Sequence, residues 1–341
     1  MAAMDIADRI AAVWLQGPGR ESAGRRIFGY ASGAHESASS KEHHMRVSSV
    51  PGFKLWISAL LTVPVLLVAP AACVSTAKID TSGMSFSSEP LLGKVVWNDL
   101  ITEDLAAAQH FYGELFGWTF EQSSRPGGRP YTLARSGKVY VAGLVQVDRS
   151  ADGKISSRWL PYTSVADVDD SVSKATAAGG KVAVGARNVS LGRVAAIIDP
   201  EGAVIGLVRS RIGDPDDATT APGAGRVVWT ELLANDPAVQ AKFYTATVGY
   251  EAKTIERRGG QYTLLTHAGS DRAGILKNPS DQADPAWLTY FGVADPAAAA
   301  TRVAALGGKV ILPPSPQLRE GSMAVVTDPA GAVLVLQKLN P

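Results

Sequence analysis

The chain contains one cysteine in 341 residues. That excludes an internal disulfide framework and any zinc site built from several thiolates. Histidine is almost as scarce: of five, only His110 and His267 follow Cys73, so a metal centre made mainly of imidazoles is not expected beyond that point. Charge of one sign is also missing. Lys and Arg number 33 against 32 Asp and Glu, a formal net charge of +1, which gives no general attraction to polyanions. No basic run interleaved with aromatics appears, and nucleic-acid binding is not expected. Apolar runs are short as well. The run Leu55–Ala69 has about 15 residues, less than the roughly 20 that span a bilayer.

That run still has a context. Arg46 and Lys54 precede it and Pro70-Ala71-Ala72-Cys73 follows it, the charged, apolar and small-residue order of a secretory signal. A cysteine directly after small residues resembles the signal of a bacterial lipoprotein. The resemblance implies lipidation at Cys73 and attachment to the cell envelope through a lipid anchor; plain secretion and an uncleaved anchor are the alternatives. Residues 1–44, polar and rich in Gly and Ser, read as a disordered or misassigned extension ahead of Met45. Residues 45–72 then form the signal and 73–92 a tether.

What the chain has in abundance is repetition. Gly93-Lys-Val-Val-Trp97-Asn-Asp99-Leu100 returns as Gly225-Arg-Val-Val-Trp229-Thr-Glu231-Leu232. Trp159-Leu-Pro-Tyr162, ending in Gly179-Gly180, returns as Trp287-Leu-Thr-Tyr290, ending in Gly307-Gly308. Asp199-Pro-Glu-Gly202 returns as Asp328-Pro-Ala-Gly331. A period of about 130 residues is longer than any solenoid unit and marks two copies of a whole domain. The copies span 93–210 and 225–341, and the Asp-, Pro- and Gly-rich stretch 211–224 is the linker.

Each copy divides again. A strand over Val95–Leu100 leads to Asp104, which can cap a helix ended by Gly117; in the second copy Asp236-Pro237 is the stronger start. Strand-like stretches with turn residues follow, and then the order repeats from Tyr162. Each half is predicted to be β-α-β-β-β.

Phe111-Tyr112-Gly-Glu-Leu-Phe116-Gly-Trp118, its counterpart Phe243-Tyr244, the double-glycine ends and the Asp-Pro-x-Gly turns together resemble the vicinal oxygen chelate superfamily, the glyoxalase, bleomycin-resistance and dioxygenase group. The resemblance covers about residues 93–338. It implies an α+β fold of tandem glyoxalase-like domains, each of two βαβββ modules enclosing a cleft.

Metal-dependent members of that superfamily place His, Glu or Gln on the first and last strands of a module. The matching positions here are Trp97, Trp229, Leu160, Leu288, Gly206 and Val335, none of which supplies a ligand atom. No cofactor is expected. An unconventional oxygen-rich divalent site at Asp99 or Glu231 is the alternative.

Strand alternation puts Trp97 and Asp99 on one face, and likewise Trp229 and Glu231. A carboxylate beside an indole in a cleft is expected to have a raised pKa and can act as a general base or bind a cation, so Asp99 and Glu231 are the candidate catalytic residues. The competing reading is that each is satisfied by a nearby amide or arginine. Trp97, Trp229, Trp159, Trp287, Tyr131 and Tyr262 recur at matched positions and are the candidate ligand-binding residues, since aromatic clefts hold small planar molecules. Three functions stay open. One is an envelope protein that binds a small aromatic or amphipathic molecule without a catalytic metal. The others are a lyase, isomerase or dioxygenase of the superfamily, and an interaction protein with vestigial clefts.

Overall fold

The computed structural model describes residue 81 and residues 83–339 except 124–130, 150–156, 191, 218–222, 258–259, 280–283 and 318. The expected extension, the signal and Cys73 all lie outside these.

The first copy has β1 (Val95–Thr102), α1 (Leu105–Phe116), β2 (Thr119–Ser123), β3 (Tyr131–Ser136), β4 (Val139–Gln146), β5 (Arg158–Ser164), α2 (Val168–Ala177), β6 (Lys181–Val189), β7 (Gly192–Ile198) and β8 (Val204–Ser210). Its eight strands form one sheet in the order β2-β3-β4-β1-β5-β8-β7-β6. The second copy repeats this with β9 (Val227–Ala234), α3 (Pro237–Val248), β10 (Glu251–Arg257), β11 (Gly260–His267), β12 (Ser270–Lys277), β13 (Ala286–Val293), α4 (Pro296–Ala305), β14 (Lys309–Leu312), β15 (Met323–Thr327) and β16 (Val333–Lys338). Its order is β10-β11-β12-β9-β13-β16-β15-β14. In each sheet the two βαβββ modules join where their first strands pair antiparallel, β1 with β5 and β9 with β13. The fold is α+β with two tandem domains, each of two βαβββ modules, as expected.

The helix ends follow from local chemistry. Asp104 accepts the Ala107 amide at 2.9 Å, and Asp236 accepts those of Ala238 and Val239 at 3.0 Å. Gly117 and Gly249 close α1 and α3 in the left-handed conformation, with φ of 71° and 87°.

The two copies share their cores. One core joins Leu100, Phe111, Tyr112, Trp118 and Trp159 of the first copy to Phe291, Val303, Val326 and Leu336 of the second. The other joins Val165, Ala195, Ile197 and Leu207 to Leu232, Phe243, Tyr244, Tyr250 and Trp287. Each helix-bearing face is therefore buried against the partner copy, where apolar area leaves water.

Matched contacts fix this arrangement. Trp118 Nε1 donates to the Gly225 carbonyl at 2.9 Å, and the Tyr250 hydroxyl donates to the Gly93 carbonyl at 2.6 Å. Tyr112 donates to Asp328 at 3.2 Å and accepts from Trp159 at 3.0 Å; Tyr244 donates to Asp199 and accepts from Trp287, both at 2.9 Å. A Cβ on Gly180 would come within 2.9 Å of the Phe243 ring, and one on Gly308 within 2.9 Å of Phe111. The linker adds a clasp: Asp214 is buried and accepts from Ser164 at 2.6 Å and the Leu91 amide at 2.7 Å. Asp217 bridges Lys94 and Arg272 at 2.9 and 2.7 Å.

Candidate functional site

The face of each sheet away from the helices carries the residues expected in a cleft. In the first copy Asp99 lies on β1 between Gly143 of β4 and Leu160 of β5, and Trp97 lies beside Tyr162, which in turn lies beside Gly206 of β8. Trp97 Nε1 points to Asp99 Oδ1 at 2.8 Å and to the Tyr131 hydroxyl at 2.9 Å, and Tyr131 donates to Asp99 Oδ1 at 2.7 Å. The strand alternation that sets Trp97, Asp99 and Tyr131 together puts Leu100 in the core on the other side.

Two glycines make this possible. A Cβ on Gly143 would stand 2.0 Å from the Tyr131 hydroxyl and 2.3 Å from Asp99 Oδ1; one on Gly206 would stand 2.2 Å from the Tyr162 ring. Glycine clears the space into which a tyrosine of the neighbouring strand leans.

The second copy builds a related but tighter site. Trp229 Nε1 donates to Tyr262 at 3.0 Å, and Tyr262 donates to Glu231 Oε1 at 3.0 Å across Gly274, where a Cβ would meet that hydroxyl at 1.8 Å. Tyr290 donates to the other Glu231 oxygen. Arg319 donates to both oxygens at 2.8 Å and lies over the Tyr290 ring, 5.3 Å from its centre. Burial, then the Glu231 charge, raises the Tyr262 and Tyr290 pKa values, so both phenols remain donors at neutral pH. Burial alone would lower the Arg319 pKa, but Tyr290 and Glu231 beside it raise it.

The two clefts differ in how far they are filled. Val184 of β6 is 39% exposed where its counterpart Leu312 is 4% exposed. Their strand partners differ in size as well, Ala196 against Val325, and Gly206 is matched by Val335. Asp99 keeps 8% of its surface and Glu231 keeps none. At these positions cleft 1 is less tightly filled than cleft 2, although it too holds a cluster, Tyr131, Leu133 and Tyr140 with Met84 and Trp97, where cleft 2 holds Leu233, Leu288, Tyr290, Ile311 and Met323.

Two of the expected lining residues are elsewhere. Trp159 pairs with Leu100 and Trp287 with Leu232, so both lie on the helix-bearing face, where they are 4% and 6% exposed and donate to Tyr112 and Tyr244. The reason is the two-residue period: a strand that turns Tyr162 toward Trp97 must turn Trp159 away. Trp97, Trp229, Tyr131 and Tyr262 are on the cleft faces with Asp99 and Glu231. His110 is exposed on α1 and His267 is partly buried at the end of β11.

Arg319 was not among the expected site residues. Its sequence signal is the run Pro313-Pro314-Ser315-Pro316, which stands where the first copy continues as β6.

The donor set does not fit a conventional divalent site. Indole nitrogens only donate; among the described residues Asp99 and Glu231 each stand among phenols, and Glu121, further out on the face of Asp99, is taken up by Tyr140 and Arg135. Among the described residues no three His, Cys, Asp or Glu side chains gather as metal ligands would.

Comparison with known proteins agrees with this architecture. Residues 226–336 match the Glyoxalase/Bleomycin resistance protein/Dioxygenase superfamily, and residues 94–126 match the N-terminal region of bleomycin resistance-like proteins. The chain is 35% identical over 259 residues to a protein of Mycobacterium tuberculosis named as a candidate glyoxylase, CFP32, covering 74% of this chain and 98% of that one. It is 31% identical over 253 residues to the anthracycline biosynthesis protein DauV of a Streptomyces species, covering 70% of this chain and 91% of that one. Among solved structures, the Mn(II)-bound glyoxalase of Novosphingobium aromaticivorans shares the fold, with a TM-score of 0.50 and 16% identity over 72% of this chain and 82% of that one. With a 35% identical relative matched over 98% of its length and the family model matched in the second copy, this chain belongs to the glyoxalase/bleomycin resistance/dioxygenase superfamily.

Proposed function

We propose that the protein binds a small aromatic or amphipathic molecule in cleft 1, at the cell envelope and without a catalytic metal. The observation that carries this reading is the aromatic set of Trp97, Tyr131 and Tyr162 on one sheet face beside Asp99, seated by glycines at 143 and 206 that make room for the two tyrosine rings. Aromatic faces hold a planar ligand. Similarity to a protein named for anthracycline biosynthesis supports a planar aromatic ligand. The envelope location rests on the signal-like order ending at Cys73.

The second reading is a superfamily enzyme, favoured by similarity to a protein named as a candidate glyoxylase and by Asp99 as a base in the less tightly filled cleft. Metal analysis separates binding from the metal-dependent form of the second reading. The full chain, purified without chelator and titrated with nickel, zinc, manganese and iron, is expected to take up none of them stoichiometrically. Tight one-to-one uptake accompanied by glyoxalase activity makes the enzyme the correct reading. Membrane attachment is tested by fractionating cells that express the chain and its Cys73→Ser variant; the variant is expected to leave the membrane fraction.

A further inference from the structure

The copies diverge at one edge of their sheets. In the first, β6 runs for nine residues and leads closely into β7. In the second, β14 stops after four residues and the chain leaves the edge through Pro313, Pro314 and Pro316, which have no N–H to offer a ladder. It rejoins the sheet at Met323 after carrying Arg319 to Glu231. Arg319 and Glu320 both sit in the left-handed region, at φ of 47° and 58°, which a residue with a Cβ holds only when its surroundings compel it. Ser322 anchors the return: its hydroxyl donates to the Arg319 carbonyl at 2.6 Å, and its own carbonyl accepts from the Lys338 amide at 2.7 Å and Gln337 Nε2 at 3.0 Å.

We propose that cleft 2 is a cation site that the chain occupies with its own Arg319. The guanidinium has there what a compact planar cation needs: both oxygens of a wholly buried carboxylate at 2.8 Å and the face of Tyr290. Tyr262 and Tyr290 already donate to Glu231, so the remaining requirement is one positive charge. A neutral or anionic ligand does not meet it, because it leaves Glu231 buried without a counter-charge. The arginine side chain is 20% exposed, so its own path leads to solvent. A guanidinium, an amidinium or a short amine is the class of ligand that competes with Arg319 for Glu231. This inference is independent of what cleft 1 binds.

The test uses the full chain with Arg319→Ala and two probes of similar shape, methylguanidinium and uncharged methylurea, followed by calorimetry and thermal unfolding. The variant is expected to bind one methylguanidinium with a saturable rise in Tm, to ignore methylurea, and to lose the response when Glu231→Gln is added. The unaltered chain is expected to bind the cation at least about tenfold more weakly, since it must first give up its own arginine. A folded Arg319→Ala variant that treats both probes alike overturns the proposal. If that variant does not fold, Arg319→Gly, whose backbone takes a positive φ freely, is refolded from urea. Methylguanidinium should then raise the yield above that with methylurea, and equal yields overturn the proposal.

Discussion

Tyr112 and Asp328 are 216 residues apart in the chain, and the phenol of one donates to the carboxylate of the other at 3.2 Å. Tyr244 and Asp199 repeat the bond at 2.9 Å with the roles of the copies exchanged. Each aspartate opens an Asp-Pro-x-Gly turn, and each tyrosine sits on the first helix of the opposite copy. These motifs therefore tie the two domains together.

Tyr112→Phe removes both the donor to Asp328 and the acceptor of the Trp159 indole, while preserving the ring. Leaving such buried groups unsatisfied costs about 1–3 kcal/mol. Urea denaturation should show a loss of that size for Tyr112→Phe and for Tyr244→Phe. A loss within error of zero would mean that the bonds do not help to hold the domains together.

Burial raises the Asp328 pKa to about 6 against the backbone and Tyr112 hydrogen bonds that lower it, and burial raises that of Asp199 too. A carboxyl whose pKa is higher in the folded state favours folding when protonated. That stabilisation is complete below the unfolded value near 3.8 and is lost as pH rises through about 6. Asp328→Asn should therefore flatten the stability profile across this window and gain up to about 3 kcal/mol at pH 8, on the scale of 1.36 kcal/mol per pKa unit. Thermal melts at pH 5 and pH 8 check this; an unchanged slope contradicts it.

Gly143→Ala forces a methyl group into the place of the Tyr131 hydroxyl, and Gly308→Ala forces one against the Phe111 ring. Both should destabilise the fold by about 1–3 kcal/mol, as overpacking does. Only the first disturbs the contact between Tyr131 and Asp99, so only Gly143→Ala should also alter binding in cleft 1. Denaturation curves paired with a binding titration separate the two effects.

Much of the fold was legible in the sequence, because capping aspartates, left-handed glycines and strand periods are local signals. Asp104, Asp236, Gly117 and Gly249 act where their chemistry puts them. The site was legible as far as alternation reaches: Trp97 with Asp99, and Trp229 with Glu231, follow from a period of two. Trp159 and Trp287 did not follow, because their repetition said that they matter without saying which face they serve. For Arg319 the proline run at 313–316 signals only that the second copy departs from the first there; its meeting with Glu231, 88 positions away, carries no local signal. The sharing of cores was hidden for the same reason, as no local signal tells whether a helix face packs on its own sheet or also on a second copy.

The most direct test of the central claim titrates a panel of planar aromatics, from naphthol to an anthracycline, into the full chain and into its Trp97→Ala and Trp159→Ala variants, following tryptophan fluorescence. The account predicts saturable binding by the unaltered chain. It also predicts a folded Trp97→Ala protein with at least about tenfold weaker affinity, equivalent to about 1.4 kcal/mol. Trp159→Ala should lose about 3–5 kcal/mol of stability, as emptying a buried tryptophan site does. Binding that Trp97→Ala leaves unchanged, or no saturable binding across the panel, would contradict the assignment of cleft 1 as the ligand site.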